Sequence, residues 1–175
     1  MTNYRWNVSA NAEGYDEAAQ VIHPRYIEVQ DVVLEQLAPL GDAEFFVVDA
    51  GGGSGRLVQR ILQQHPSARA IVLDQSEAFL GLAERRLASF GKRAECRLAR
   101  LQTDWPSQLP EAPTAVVSIM VIYHFDAEEN HTFFLFILFL FESFCMSPSP
   151  VIRSAIGMKS TIPAIGRIML RARGG

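Results

Sequence analysis

Residues Phe45–Gly55 read FFVVDAGGGSG, and this stretch decides the fold. Four apolar residues, Phe45–Val48, run into Asp49. Ala50 follows, then Gly51, Gly52, Gly53, Ser54 and Gly55. A helical pattern begins directly afterwards, Arg56-Leu57-Val58-Gln59-Arg60-Ile61-Leu62. The order predicts strand, glycine turn, helix. Glycine has no Cβ and tolerates unusual φ/ψ, so such a turn lets backbone approach a ligand closely. The helix start behind it offers unpaired N–H groups and a positive dipole end. A nucleotide-like ligand with an anionic group fits there. The plainer alternative is an ordinary glycine-rich strand–helix turn.

Spacing narrows the choice. The dinucleotide fingerprint G-x-G-x-x-G requires glycine where this chain has Arg56. The phosphate-cradling loop needs Gly-Lys-Ser/Thr, and no such run exists. What remains is Asp-x-Gly-x-Gly-x-Gly after a strand.

Outward from this stretch the pattern repeats. Tyr26, Ile27, Val29, Val33, Leu34 and Leu37 recur at helical period, between Pro24 and the pair Pro39 and Gly41. This helix reads as one that packs on a sheet. The helix after the glycines reaches about His65 and stops at Pro66. Ala70–Leu73 is a second apolar run ending in an acid, Asp74, and such runs suit parallel strands buried on both faces. Asp74-Gln75-Ser76 is suited to cap a helix carrying Phe79, Ala83, Leu87 and Phe90 on one face, with Gly91 as its stop. Ala94, Cys96 and Leu98 alternate as an outer strand would, and Ala115–Met120 is a fourth strand. Alternation of strands and helices implies an α/β fold, Rossmann-like, with a mostly parallel sheet. Right-handed crossovers would then bring Asp49 and Asp74 side by side at one crevice.

Composition bounds the rest. A chain of 175 residues, 49% hydrophobic, suggests one domain with a sizeable core. The net charge of −3 gives no general pull toward nucleic acid or anionic membrane. Cys96 and Cys145 lack disulfide-scaffold or metal-site spacing, and His23, His65 and His131 lack metal-ligand spacing. The N-terminus shows no apolar signal core, so a reducing, cytoplasmic setting is expected. Three regions emerge: an N-terminal arm over 1–22, an α/β domain over 23–130, and an atypical tail over 131–175.

The glycine motif, Asp74 and the strand Val116-Val117-Ser118-Ile119-Met120 together resemble the class I methyltransferases that use S-adenosyl-L-methionine. The resemblance covers about residues 15–129. FVVDAGGGSG matches the family's first motif and IVLDQS its second. It implies that Asp49, Ala50, Gly51, Gly52, Gly53 and Gly55 surround the methionine part of the cofactor. Asp74 would bind the ribose and Gln75 would lie near adenine. Leu101 would approach the adenine ring, while Arg100 departs from the acidic residue usual there. Ser118, Ile119 and Met120 would line the donor side, and Tyr15 would fold over the cofactor from the N-terminal arm. No catalytic residue is assigned. His124 is the nearest candidate base, against the plainer reading of a histidine bonded locally at a helix entry.

The Asn/Asp-Pro-Pro-aromatic motif of the amino-methylating branch is absent, since Ser118-Ile119-Met120-Val121 stands there. A small-molecule methyl acceptor is therefore expected, with no nucleic acid partner. Rival readings are a non-catalytic cofactor-binding or interaction module, an inactive truncated fragment, and a nucleotide-cofactor oxidoreductase. Missing the third fingerprint glycine counts against the last.

Beyond residue 130 the family pattern gives way. Six of eleven phenylalanines fall between Phe133 and Phe144, and residues 151–175 hold five basic residues and no acid. Phe133–Phe141 is uninterruptedly apolar yet far shorter than the ~20 residues that span a bilayer. Periodicity alone allows a buried helix or a strand, and the stretch could serve partner binding or self-association. The family's later strands are expected to be missing, which would leave the fourth strand as a hydrophobic edge. A shifted reading frame is one origin for such a tail, which resequencing and an intact mass would decide.

Overall fold

A computed structural model describes residues 14–103, 105–121, 124–143, 153–154 and 167–171. Helix α1 is Tyr15–Ile22 and α2 is Tyr26–Leu37, followed by a short 3-10 turn. Strand β1 (Phe46–Ala50) leads to α3 (Arg56–Gln64), β2 (Arg69–Asp74) to α4 (Glu77–Leu87), and β3 (Ala94–Leu98) through a loop to β4 (Ala115–Ile119). Helix α5 is Ala127–Ser143, and the short strands β5 (Arg153–Ser154) and β6 (Arg167–Arg171) follow.

The sheet order is β3-β2-β1-β4-β6-β5. The first four strands are parallel, with Asp49 level with Val72 and with Val117. This is the Rossmann-like arrangement of a class I methyltransferase domain. Successive β1 side chains go to opposite faces, as a pleated strand requires. Val47 joins a core with Val33, Leu37, Val58, Ile61, Leu80 and Ala83, which belong to α2, α3 and α4. Phe46, Val48 and Ala50 join the other core with Leu101, Trp105, Phe133 and Ile137.

The apolar stretch from Phe133 is thus a helix, not a strand. Phe133, Ile137 and Leu140 point inward, while Leu135 and Leu138 stay half exposed. Helix α5 supplies the second face of the sheet, and the compositional shift near residue 130 falls inside it. The described part of the tail also corrects the expected edge. Strand β6 runs antiparallel to β4, pairing Val117 with Met169, so β4 is paired on both sides. The backbone groups of β4 demand partners once buried, and a reversed strand satisfies them as well as a parallel one. Among the described residues no further parallel strand follows α5.

Arg93 fastens the far end of α3: its Nη1 donates to the carbonyls of Leu62, His65 and Ala68 at 3.2–3.3 Å. His65 is buried there, its Nδ1 2.9 Å from the Gly41 carbonyl and its ring edge-on to Phe45. It is a packing residue.

Candidate functional site

Parallel strands joined by right-handed crossovers present their carboxyl ends along one edge. Asp49 and Ala50 end β1, Asp74 ends β2, and Ser118 lies near the end of β4. The loop 51–55 rises between them. Gly51, Gly53 and Gly55 have φ of 77°, 54° and 72°, the left-handed region that glycine enters without penalty.

Two anchors hold the loop to β2. The N–H groups of Gly51 and Gly52 donate to the Leu73 carbonyl at 2.7 and 3.1 Å. The Gly53 N–H donates to Asp74 Oδ2 at 3.0 Å, while the other Asp74 oxygen accepts from the Ser76 N–H at 2.9 Å. Asp74, at the end of β2, is therefore a brace for the loop. Ser76 caps α4 through its Oγ, which accepts from the Phe79 N–H at 3.3 Å.

The loop is packed below and open above. A Cβ at Gly51 would stand 2.2 Å from Val121 Cγ2, and one at Gly52 would stand 2.6 Å from Asp49 Oδ2. At Gly53 nothing comes nearer than Phe79 at 3.8 Å. Glycine at 51 and 52 lets the loop lie flat on its floor, and the side at Gly53 remains accessible. Tyr15 of α1 meets the Phe79 ring edge-on, 5.0 Å between centroids.

Asp49 is buried beneath this loop. Burial, helped by the nearby charge of Asp74, pushes its carboxyl up to about 7. Burial also raises Asp74, against the opposing pull of backbone hydrogen bonds from Ser76, Gly53 and Gln75. A cationic ligand beside these two carboxyls would favour their ionised forms.

Of the residues expected at the site, Asp49, Ala50, Gly51, Gly52, Gly53, Gly55, Asp74, Gln75 and Ser118 gather at these strand ends. The Ser118 hydroxyl donates to the Ala50 carbonyl at 2.8 Å, tying β4 to β1 at the crevice. Leu101 is buried in the same core as Ala50 and Leu73, and Arg100 beside it is exposed. His124 is exposed at the turn after β4, its N–H donating to the Val121 carbonyl at 2.9 Å. Among the described residues no group of three or more His, Cys, Asp or Glu is placed to hold a metal ion.

Several contributors escaped the sequence reading. Val121 floors Gly51, and Phe79 flanks Gly53. Arg86 donates to Ser54. Met120 was expected on the donor side, but not its left-handed backbone of φ 62° or its burial with Ala19 and Tyr26. No local motif marks these positions, because each acts on a partner distant in sequence or through its backbone.

Comparison with known proteins agrees with this geometry. The family described as Methyltransferase domain matches residues 47–137, just over half of the chain. The chain belongs to that family. It is 55% identical over 42 residues to the phenazine-1-carboxylate N-methyltransferase of Pseudomonas aeruginosa, covering 24% of this chain and 12% of that one. It is 32% identical over 87 residues to the ribosomal RNA small subunit methyltransferase H of a Synechococcus species, covering 50% of this chain and 28% of that one. The chain thus spans under a third of either curated relative. The solved structure of magnesium protoporphyrin IX methyltransferase from Synechocystis PCC 6803, with S-adenosyl-L-methionine bound, superposes with a TM-score of 0.56 at 21% identity. That match covers 83% of this chain and 77% of the other, and it bears on the fold. Among the described residues no helix is long and apolar enough to cross a membrane.

Proposed function

We propose that this chain binds S-adenosyl-L-methionine at the 51–55 loop and transfers its methyl group to a small-molecule acceptor. The observation that carries the reading is the loop itself: braced to Asp74 through the Gly53 N–H, flat on Val121 and Asp49, and open at Gly53. The residues present fit such a ligand, since the open backbone and the two acids lie on one sheet edge. Asp74 would accept ribose hydroxyls with its carboxylate, a charge-assisted contact. Gly51, Gly52, Gly53 and Gly55 would take the methionine part, with Asp49 and Ala50 below. Gln75 and Leu101 would flank adenine. Ser118, bonded to Ala50, would fix the donor side, and Tyr15 would close over Phe79.

The cofactor supplies a methyl group on a sulfonium, already activated by positive charge. What the chain has to provide is alignment and exclusion of water. A general base is needed only where the acceptor must lose a proton. The net charge of −3 gives no general pull toward a nucleic acid, and the name of the P. aeruginosa relative supports a small acceptor, whereas the Synechococcus relative is named as an RNA methyltransferase.

A thermal-shift titration of the purified chain with S-adenosylhomocysteine and, separately, with NAD tests the reading. A ligand that binds only the folded state raises the melting point. The expected result is a rise with S-adenosylhomocysteine alone, abolished in Asp74→Ala. A cooperative melt that neither ligand moves would sink the cofactor assignment. Binding without turnover across an acceptor screen would favour the non-catalytic module.

A further inference from the structure

Arg86 lies in the last turn of α4, 32 residues from the loop in sequence, yet its guanidinium reaches into it. Nη1 donates to the Ser54 carbonyl at 2.6 Å and to Ser54 Oγ at 2.7 Å. Ser54 is buried, and both its neighbours, Gly53 and Gly55, have left-handed backbone. The peptide unit joining Ser54 to Gly55 is therefore gripped from two sides. Its carbonyl accepts from Arg86, and its N–H donates to the Gly52 carbonyl at 3.0 Å. A flip of that unit would break both bonds at once.

Such a flip would otherwise be easy. Gly55, on one side of the unit, has no Cβ and lowers the steric barrier that orients it. The surroundings of Arg86 fit a clamp. Gly55 seats on the same helix: a Cβ there would come within 3.0 Å of Ala83 and 3.1 Å of Leu87. Ala83, Arg86 and Leu87 thus form one face, three and four residues apart, against the second half of the loop. The first half is already held by Leu73 and Asp74. The positive charge is also placed beside the N-terminus of α3, where a cation opposes the helix dipole. A residue kept there against that cost needs a compensating role, and the paired contacts to Ser54 supply one.

We propose that Arg86 is a positioning residue of the cofactor site, locking the Ser54–Gly55 peptide so that the loop is preformed before ligand arrives. The proposal rests on the cofactor reading above. A loop ordered in advance does not charge its ordering entropy to binding, so losing the lock lowers affinity without removing any direct ligand contact.

The test compares Arg86→Gln, Arg86→Lys and Arg85→Gln in the full chain. Arg85 is the exposed neighbour on the same helix. Calorimetric titration with S-adenosylhomocysteine should show affinity lowered by about tenfold in Arg86→Gln, the scale of one charged hydrogen bond. Arg86→Lys should recover part of it, and Arg85→Gln should match the parent. In the ligand-free chain, amide exchange of the 51–58 segment should accelerate in Arg86→Gln while β1 and β2 stay protected. Parent-like affinity together with parent-like exchange in Arg86→Gln would overturn the proposal. If Arg86→Gln does not fold, Arg86→Met, which keeps the length of the side chain but has no donor, decides on the same two readings, and parent values of both would again overturn it. A parent chain that binds no S-adenosylhomocysteine would refute the cofactor reading, and the exchange comparison would then decide by itself whether Arg86 holds the loop.

Discussion

At the scale of single residues, Asp49 is where the site opposes folding. Its carboxyl ionises near 7 in the folded chain, against ~3.9 for an aspartate in the unfolded one. Between those values the folded state holds a proton that the unfolded state has released. Stability must therefore fall as pH rises from about 4 to about 7, then level off. The full shift corresponds to an upper bound of about 4 kcal/mol, and the raised carboxyl of Asp74 acts with the same sign. Urea unfolding at pH 5 and pH 8 checks this: the parent chain should be weaker at pH 8, and Asp49→Asn should narrow the gap. An equal gap in the variant would remove Asp49 as its source. Gly51→Ala is expected to destabilise by roughly 2–4 kcal/mol, because alanine at φ 77° is strained and its Cβ meets Val121. A fall of that size in the urea midpoint, with the slope unchanged, is the outcome to look for. The acids and glycines were readable from sequence because they lie in two short contiguous motifs. Val121, Phe79 and Arg86 were not, since each meets the loop from 26 to 70 positions away and carries no local signature.

Among the elements, α5 is the one whose role the composition obscured. An apolar run with no polar side has no period to read, so helix and strand were equally open. Packing decides the matter: Phe133 stacks on Trp105 with centroids 6.2 Å apart and meets Phe125 edge-on at 5.8 Å. Phe133→Ala should accordingly cost about 3–5 kcal/mol in urea unfolding, the range for a fully buried aromatic. A cost below about 1 kcal/mol would place α5 outside the packed core. The strands, by contrast, could be placed within a residue or two. β1 and β2 are short apolar runs ending in an acid, and β3 alternates in sequence as an edge strand, although Leu98 is exposed while Cys96 on the same face is half-buried. The burial of Cys96 raises its thiol to about 11, aided by Glu84 and Glu95, so it behaves as a packing residue and not as a nucleophile.

For the whole molecule, the parallel sheet with Asp49 and Asp74 on neighbouring strands followed from connectivity, whereas the full order β3-β2-β1-β4 and the reversed partner of β4 did not. Nothing in RIMLR announces its direction: a five-residue strand reads the same whether it pairs parallel or antiparallel. The two N-terminal helices are likewise placed by contacts no local pattern encodes, with Ala19 of α1 and Tyr26 of α2 clustering with Met120 beyond the end of β4.

That last contact makes Met120 behave as a loaded catch. A left-handed methionine costs about 1–2 kcal/mol more than a relaxed one. Its seat against Ala19 and Tyr26 is what keeps it cocked. Val121 is the next residue, and Val121 is the floor beneath Gly51. Detaching α1 should therefore release the turn and be felt at Gly51 through Val121. Deleting residues 1–22 is expected to speed amide exchange at 119–121 and at 51–53 together. Exchange that rises at the turn alone would mean that the catch and the loop are not geared to each other.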